Sequence, residues 1–437
     1  MMSQIRIKDN SYYSKENFSY ISHLTEKIAD KTLEQLEKEG IFVFPELIKE
    51  SDDITKDQMI LQSINDVYQS SNVMGFLGLG KEKLIIESRF SDNNKDYLFQ
   101  YLLEKIFEIP NLVDLETETN NEERIFNLLM FIFPYYLKNA MRKGLYKTYI
   151  RNEYNDNNVK GYIDIARHIK QNVPFVGNIA YSQREYSYDN YLMELIRHTI
   201  EVIKLKNYGN KVLAKVKEEV ANVIESTPNY EVFNRRKIIA LNKKKSIRHA
   251  YFREYRELQQ LCLLILQNQK HQIGVGNNQI YGILFDGAWL WEEYVNSIIK
   301  EEFYHPINKA NKEAQRLFNS REGLIYPDFI SKNAENRIIA DAKYKPIDNI
   351  GNRDYLQVLA YMFRFDAKVG FYLYPEADNN KEKVMWLNKG STYERNVERR
   401  NDICVIKYGF KIPKLDSNYK KFSEEMKKSE EIFRDRL

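Results

Sequence analysis

The chain has 437 residues, enough for two or three domains, because single domains usually comprise about 100–200 residues. Its apolar fraction of 43% and charged fraction of 29% exclude a disordered or fibrous protein. The formal net charge is only +4, so any surface that attracts a polyanion has to be local.

The cysteines and the apolar runs set further limits. Cys262 and Cys404 are too few for a disulfide framework and lack the C-x-x-C spacing of a zinc site. No stretch approaches the ~18 apolar residues of a membrane-spanning helix, and no basic-then-apolar leader opens the chain. We therefore expect a cytoplasmic protein with no membrane partner.

Residues 1–95 are predicted to form a small α+β domain, with short strands at 41–44 and 83–86. Residues 75–81 have the G-x-x-x-x-G-K spacing of a phosphate-binding loop, but Glu82 replaces the Ser or Thr that should hold Mg²⁺. Such a loop needs amide groups at a helix start, whereas the residues that follow are strand-like. We predict a glycine-rich β-turn here and no nucleotide bound by this chain.

Residues 96–275 are predicted to be mainly helical, because apolar residues recur with helical spacing from Tyr97 to Leu266. Between residues 235 and 256, nine basic side chains accompany a single acidic one, Glu254. This pattern is typical of a DNA-binding surface, and also of a solvated helix face beside a basic loop. We favour DNA contact through the first seven of these side chains: Arg235, Arg236, Lys237, Lys243, Lys244, Lys245 and Arg248.

Residues 276–437 are predicted to form an α/β domain that ends in a charged helix. Two apolar strands, 324–330 and 337–344, are joined by a polar connection typical of a hairpin. Because side chains alternate between the two faces of a strand, Asp341 and Lys343 project from one face. Asp328 reaches the same face if the register is right.

Two carboxylates and one lysine suit the hydrolysis of a phosphodiester bond. Mg²⁺, for which Mn²⁺ can substitute, prefers one or two carboxylates, keeps several waters and bridges to a substrate phosphate. We predict Asp328 and Asp341 as its ligands, and Lys343 as the group that orients the attacking water or stabilises transition-state charge. A solvated ion pair is the alternative, but charges within apolar strands require a stronger reason.

The motifs Pro327-Asp328 and Asp341-Ala342-Lys343 resemble those of the PD-(D/E)XK nuclease superfamily. Residues 354–361 resemble the Q-x-x-x-Y helix of some members, and residues 285–295 resemble the helix that supplies a further acidic residue. Glu292 stands at the matching position, with its neighbour Glu293 as the alternative. The resemblance implies a nuclease core, a central mixed sheet flanked by helices, with the catalytic residues Asp328, Asp341, Lys343, Gln357, Tyr361 and Glu292.

Together with residues 159–167 and 189–190, these motifs are similar to McrC, the nuclease subunit of McrBC-like and LlaJI-type restriction systems. The similarity extends over roughly residues 75–375. It implies a subunit that cleaves double-stranded DNA with Mg²⁺ when an AAA+ GTPase of McrB type activates it, in defence against foreign DNA. By analogy, residues 1–95 would dock the motor.

Two other functions stay open. A stand-alone repair or recombination nuclease would need no GTPase partner. A non-catalytic scaffold would bind DNA or the motor, although the intact Asp328, Asp341 and Lys343 argue against it.

Overall fold

The protein has a mixed α/β architecture, seen in a computed structural model. The structure describes residues 3–39, 41–44, 57–91, 96–107, 121–247, 249–268, 280–306, 315–320, 322–377, 382–390, 397–414 and 418–437. The chain forms two compact units. Unit 1 combines Met1–Ile125 with Gly276–Leu437, and unit 2 is Phe126–Val275.

The N-terminal part of unit 1 alternates short strands and helices. Its elements are β1 (Ser3–Lys8), β2 (Tyr12–Ser14), a 3-10 helix (Lys15–Ile21), α1 (Ser22–Ile28), α2 (Leu33–Lys38), β3 (Ile41–Phe44), β4 (Leu61–Ile64), β5 (Val67–Ser70), β6 (Val73–Leu79), β7 (Glu82–Glu87) and α3 (Tyr97–Ile106). Both predicted strands are confirmed, as β3 and the centre of β7. The predicted turn is confirmed too, since Gly80 has φ +58° and links β6 to β7.

The middle of the chain contains more strand than its helical spacing predicts. Its elements are α4 (Asn121–Met141), β8 (Thr148–Asp156), β9 (Tyr162–Ile163), α5 (Ile165–Gln171), β10 (Ile179–Ser187), α6 (Tyr191–Lys204), α7 (Gly209–Leu213), α8 (Lys217–Ser226), α9 (Arg235–Lys244) and α10 (Arg253–Asn268). In unit 2, β8, β10 and β9 pair in that order as an antiparallel sheet. These strands carry mostly polar residues, so no apolar alternation marks them in the sequence.

The C-terminal part of unit 1 begins with a strand that leads into a helix. Its elements are β11 (Tyr281–Asp286), α11 (Gly287–Ile299), β12 (Phe303–Tyr304), β13 (Gln315–Arg316), β14 (Leu324–Ile325), β15 (Phe329–Ser331), β16 (Ile338–Ala342), α12 (Asn352–Arg364), β17 (Val369–Glu376), β18 (Glu382–Lys389), β19 (Glu398–Lys411) and α13 (Tyr419–Arg436). The predicted strand at 324–330 is divided into β14 and β15 by Pro327, which cannot donate to a strand ladder.

A six-stranded mixed sheet organises this part of the chain, in the order β12-β15-β16-β17-β19-β18. β16, β17 and β19 are parallel, and α12 makes the crossover between β16 and β17. Ile339, Val358 and Tyr372 belong to the core between α12 and the sheet. The charged residues at the end of β16 therefore lie at the place where α12 packs against the sheet.

A second sheet joins the two ends of the chain within unit 1. Its order is β1-β7-β6-β11-β3, so β11 lies between two N-terminal strands. Ile280 and Leu284, at and within β11, are buried in the N-terminal core. The predicted domains at 1–95, 96–275 and 276–437 therefore differ from the two observed units, because strand pairing ties the first range to the third.

Cys262 and Cys404 are both buried and free of disulfides. Among the described residues, no helix combines the length and the apolar character needed to cross a membrane.

A buried carboxyl group in unit 1 generates a pH prediction. Asp9 is fully buried after β1, and burial raises its pKa from 3.8 to about 6 despite the nearby Arg89 guanidinium. As pH rises, the Asp9 carboxyl loses its proton in the unfolded chain before it does so in the folded protein. The contribution of protonated Asp9 to folding stability is therefore complete below pH 4 and is lost as pH rises through 6. Relative to wild type, Asp9→Asn should gain about 3 kcal/mol of unfolding free energy between pH 4 and 7.

Urea unfolding at a series of pH values, followed by tryptophan fluorescence, measures this difference, because all three tryptophans lie in unit 1. A difference between variant and wild type that does not change with pH would contradict the assignment to Asp9.

Candidate active site

The β15–β16 hairpin brings two aspartates to one end of the six-stranded sheet. Phe329 lies opposite Ala340 in the antiparallel register. Continuing the register by one residue sets Asp328 opposite Asp341. The Ala342 amide donates to Asp328 Oδ2 at 2.8 Å, which holds this carboxylate against the end of β16.

Lys343 and Asp354 complete a cluster of charges beside Asp341. Lys343 Nζ lies 2.7 Å from Asp341 Oδ2 and 3.8 Å from Asp354 Oδ1. The Asp354 carboxylate also accepts from Lys345 Nζ at 2.8 and 3.0 Å. Burial opposes ionisation of Asp354, but the Lys345 hydrogen bond and the Gly351 amide outweigh it and lower its pKa. Asp354 is therefore ionised, and the Lys343 ammonium lies near both its carboxylate and that of Asp341.

The environment of the aspartate pair is suited to a divalent cation. Burial raises the pKa of Asp328 well above its usual range, and the charges of Asp341 and Glu292 raise it further. Asp341 is only 1% exposed. Because ionised carboxylates that are buried together repel each other, a bound cation would stabilise them.

The donor set also fits the coordination chemistry of Mg²⁺. One or two protein carboxylates suffice, with waters and substrate oxygens as the other ligands. Among the described residues, no group of three or more His, Cys, Asp or Glu side chains could hold a metal ion. The fit therefore rests on the oxygens of Asp328 and Asp341.

Glu292 and Glu293 on α11 converge on His305. His305 Nε2 lies 3.6 Å from Glu292 Oε1 and 3.7 Å from Glu293 Oε1. Its Nδ1 lies 2.8 Å from the Asp328 carbonyl oxygen, and its ring stacks on Phe329. Burial lowers the pKa of His305, but the two glutamates outweigh this effect and raise it. The charge of Glu292 also contributes to the raised pKa of Asp328, so this glutamate lies within electrostatic range of the aspartate pair.

Gln357 and Tyr361 lie one turn apart on α12, as their spacing predicts. Gln357 Nε2 donates to Tyr361 Oη at 2.6 Å, and the same hydroxyl accepts from the Tyr326 amide at 3.4 Å. Burial, with smaller contributions from Asp341 and Asp328, raises the pKa of Tyr361 to about 12. These contacts link α12 to the chain segment that precedes Asp328.

Tyr344, next to Lys343, anchors the site to the N-terminal part of unit 1. Its hydroxyl lies 2.7 Å from Ser88 Oγ, and the Arg89 guanidinium lies 4.7 Å from its ring centroid. Arg89 also donates to the Tyr344 carbonyl oxygen. At Gly287, the first residue of α11, an added Cβ would lie 2.8 Å from the Tyr344 ring, so α11 approaches closely because that residue is glycine.

Sequence reasoning missed three charged or titratable groups of the cluster: Asp354, Lys345 and His305. Asp354 is an acidic residue in the first turn of α12, a position that stabilises helix starts and that could have drawn attention to it. His305 has no local motif. It reaches the site because β12 pairs with β15, a contact between distant parts of the chain.

The predicted DNA-binding residues belong to unit 2. Arg236, Lys237, Lys243, Lys244 and Lys245 are exposed on or just after α9. Arg235 is half-buried and donates from Nη2 to the Leu266 carbonyl at 3.1 Å, so its guanidinium has a structural partner. Arg248 lies outside the described residues.

Comparison with known proteins identifies one family. The profile described as McrBC 5-methylcytosine restriction system component matches residues 68–375, more than half of the chain. No curated protein matches.

Two solved structures are similar to the chain. One is a half-complex from a tetradecameric assembly of Thermococcus gammatolerans McrB AAA+ hexamers with bound McrC, at 13% identity and a TM-score of 0.48, covering 98% of this chain and 100% of that one. The other is the McrBC complex of the same organism, at 13% identity and a TM-score of 0.33, covering 70% of this chain and 93% of that one.

The crowding of carboxylates around Asp328 generates a stability prediction. In EDTA at pH 8, the unfolding free energy of Asp328→Asn should be about 1–2 kcal/mol higher than that of wild type. The reason is that the substitution removes repulsion between carboxylates that are held together for function and not for stability. Added Mg²⁺ should stabilise wild type and leave the variant unchanged. Tryptophan-monitored urea unfolding with and without Mg²⁺ measures both effects.

Asp366→Asn is the matched control, since Asp366 is exposed and its φ of +54° is tolerated by asparagine. It should respond to Mg²⁺ as wild type does. Equal stabilisation of Asp328→Asn by Mg²⁺ would show that Asp328 is not a ligand.

The close approach at Gly287 generates a packing prediction. Gly287→Ala should cost about 1–3 kcal/mol of unfolding free energy, because its Cβ overlaps the Tyr344 ring. Gly351→Ala is the control, since a Cβ there meets no atom within 4 Å. Comparable losses in the two variants would mean that the Tyr344 contact is not the cause.

Proposed function

The chain belongs to the family of McrBC 5-methylcytosine restriction system components, and from this premise we propose that it is the nuclease subunit of McrC type. It cleaves the phosphodiester bonds of double-stranded DNA with Mg²⁺, in defence against foreign DNA. Its core is of the PD-(D/E)XK kind. An AAA+ GTPase partner of McrB type activates DNA cleavage.

One observation carries this proposal: buried Asp341 lies opposite Asp328 and within 2.7 Å of the Lys343 ammonium. Isolated charges at strand ends usually face solvent and contribute little to stability. Here Asp341 is buried, and Asp328 and Lys343 are half-buried beside it. Withdrawing three charges from water at one point is costly, so a functional reason is needed. Two acidic groups and one basic group match the needs of phosphodiester hydrolysis.

The proposed division of labour follows from the contacts. Asp328 and Asp341 would hold the metal ion, which polarises the phosphoryl group and acidifies a water. Lys343 donates toward the phosphate or the water, because Asp341 and Asp354 fix its ammonium at the edge of the carboxylate pair. Glu292 adds a nearby negative charge, and Mn²⁺ would substitute for Mg²⁺ at oxygen ligands.

Gln357, Tyr361 and Asp354 act as positioning groups in this proposal. The Gln357–Tyr361 hydrogen bond ties α12 to the segment before Asp328. Asp354 sits in the first turn of the same helix and holds Lys343 and Lys345. One helix thus supports both the carboxylate and the lysine sides of the site.

The need for a motor partner is supported by how residues 75–81 fold. A phosphate-binding loop presents amides at a helix start, whereas residues 75–79 lie in β6 and Gly80 turns the chain into β7. Nucleotide hydrolysis is therefore assigned to the partner. Residues 1–95, which contribute four of the five strands of this sheet, remain the proposed docking element by analogy with the family.

Plasmid cleavage tests the proposal. We expect wild type to cut only with Mg²⁺, GTP and the McrB-type partner together. Asp341→Asn should lower the rate by about 100-fold or more, because it removes a carboxylate ligand of the metal ion that polarises the phosphoryl group. Asp366→Asn should cut as wild type does.

The other outcomes separate the rival functions. Cutting by wild type without GTP or partner would favour a stand-alone nuclease. DNA binding by a wild type that never cuts would favour a scaffold. Equal cutting by Asp341→Asn and wild type would exclude the site itself.

A further inference from the structure

Unit 2 contains an open cleft of about 830 Å³ that the proposed nuclease chemistry does not use. The β8–β10 sheet forms one wall, and α6 and α9 contribute to the other. Arg151 and Arg184 line it from the sheet, while Lys237 and Lys245 line it from α9 and its C-terminal end. Four cationic side chains, two from the sheet and two from α9 and its C-terminal end, therefore line one space.

The arginine pair is unfavourable for the sheet itself. Arg151 lies directly opposite Arg184 in the β8–β10 register, and both side chains are exposed. Like charges at directly opposed positions destabilise a strand pair. Among the residues that the structure describes, no ion pair joins either guanidinium to a carboxylate. An anionic ligand bound beside both guanidinium groups would relieve this repulsion, and the relief would contribute to its affinity.

Exposed tyrosines lie beside the arginines on the same face of the sheet. Tyr149 and Tyr186 are opposite one another, with ring centroids 4.9 Å apart, and are 59% and 51% exposed. The Arg184 guanidinium lies 4.6 Å from the Tyr149 ring centroid. Aromatic rings interleaved with cations stack on bases and neutralise phosphates along a nucleic-acid strand.

The acidic residues of the cleft are largely accounted for. Asp189 Oδ2 accepts from the Asn229 amide at 3.2 Å and from its Nδ2 at 2.8 Å, so it serves the local structure. Burial and the Asp189 charge raise the pKa of Glu194 to about 7, which reduces its negative charge at neutral pH. The cleft is therefore cationic in net effect.

We propose that this cleft, together with the adjoining face of the β8–β10 sheet, binds an unpaired strand of DNA, with phosphates on Arg151, Arg184, Lys237 and Lys245 and bases stacked on Tyr149 in the cleft and on Tyr186 beside it. Duplex DNA hides its base faces, so the exposed tyrosine rings favour a strand whose bases are unstacked. The inference rests on the proposed function only in taking DNA as the ligand. It adds the sheet face to the basic residues of α9 that the sequence singles out.

Fluorescence anisotropy of the full chain tests the cleft, with a labelled 20-nucleotide oligothymidylate and a duplex of equal length in EDTA. Arg151→Gln/Arg184→Gln should weaken single-strand binding about tenfold or more and reduce its salt dependence. Tyr149→Leu/Tyr186→Leu should weaken single-strand binding about tenfold and leave both duplex binding and the salt dependence unchanged. Circular dichroism verifies that each variant is folded.

Two further variants make the result specific. Arg142→Gln/Lys217→Gln removes two exposed charges of unit 2 that do not line the cleft, and should bind as wild type does. Arg151→Lys/Arg184→Lys keeps the charge and should retain the salt dependence. Unchanged single-strand binding in the Arg151→Gln/Arg184→Gln variant, or equal losses in the control, would overturn the proposal.

Equal losses of single-strand and duplex binding in the tyrosine variant would overturn the preference for an unpaired strand. The nuclease proposal is separated from this one by Asp341→Asn, which should bind both oligonucleotides as wild type does while failing to cut plasmid. If Asp341→Asn loses cutting but keeps binding, the result supports the nuclease site in unit 1. If the cleft variants, in which Asp341 is intact, lose binding, the result supports the cleft in unit 2.

Discussion

The pairing of β15 with β16 is the constraint on which the candidate site depends. One register sets Asp328 opposite Asp341 and brings the Ala342 amide to the Asp328 carboxylate. A slip of one residue would send these side chains to opposite faces of the sheet. The register is held by buried Phe329 and Ile339 on the same two strands. Apolar packing therefore fixes the geometry of a polar site whose own charges repel.

The N-terminal part of unit 1 supports the β15–β16 hairpin, although it lies far away in sequence. Tyr344 follows the lysine of the site and is held by Ser88 and Arg89 at the end of β7. β11 lies between β6 and β3 and leads directly into α11, the helix that carries Glu292. The N-terminal sheet and the charged cluster are thus parts of one compact unit. A partner docked on residues 1–95 would act on a body that includes the site.

Local patterns predict the features that neighbouring residues determine. The strands β3 and β7, the Gly80 turn and the spacing of Gln357 and Tyr361 follow from residues close in sequence. The match of residues 68–375 to the McrBC family confirms the resemblance recognised from the motifs. The position of β11, the arrival of His305 and the β8–β10 sheet depend on pairings that no local apolar pattern encodes.

We propose that Asp328 and Asp341 together hold the catalytic metal. Anomalous diffraction from crystals of the full chain grown with Mn²⁺ locates this metal, because Mn²⁺ suits the same oxygen ligands and scatters anomalously. We expect a peak within ligand distance of both carboxylates and none there in Asp341→Asn crystals. A peak elsewhere in the wild type, or a peak at this position that persists in the variant, would contradict it.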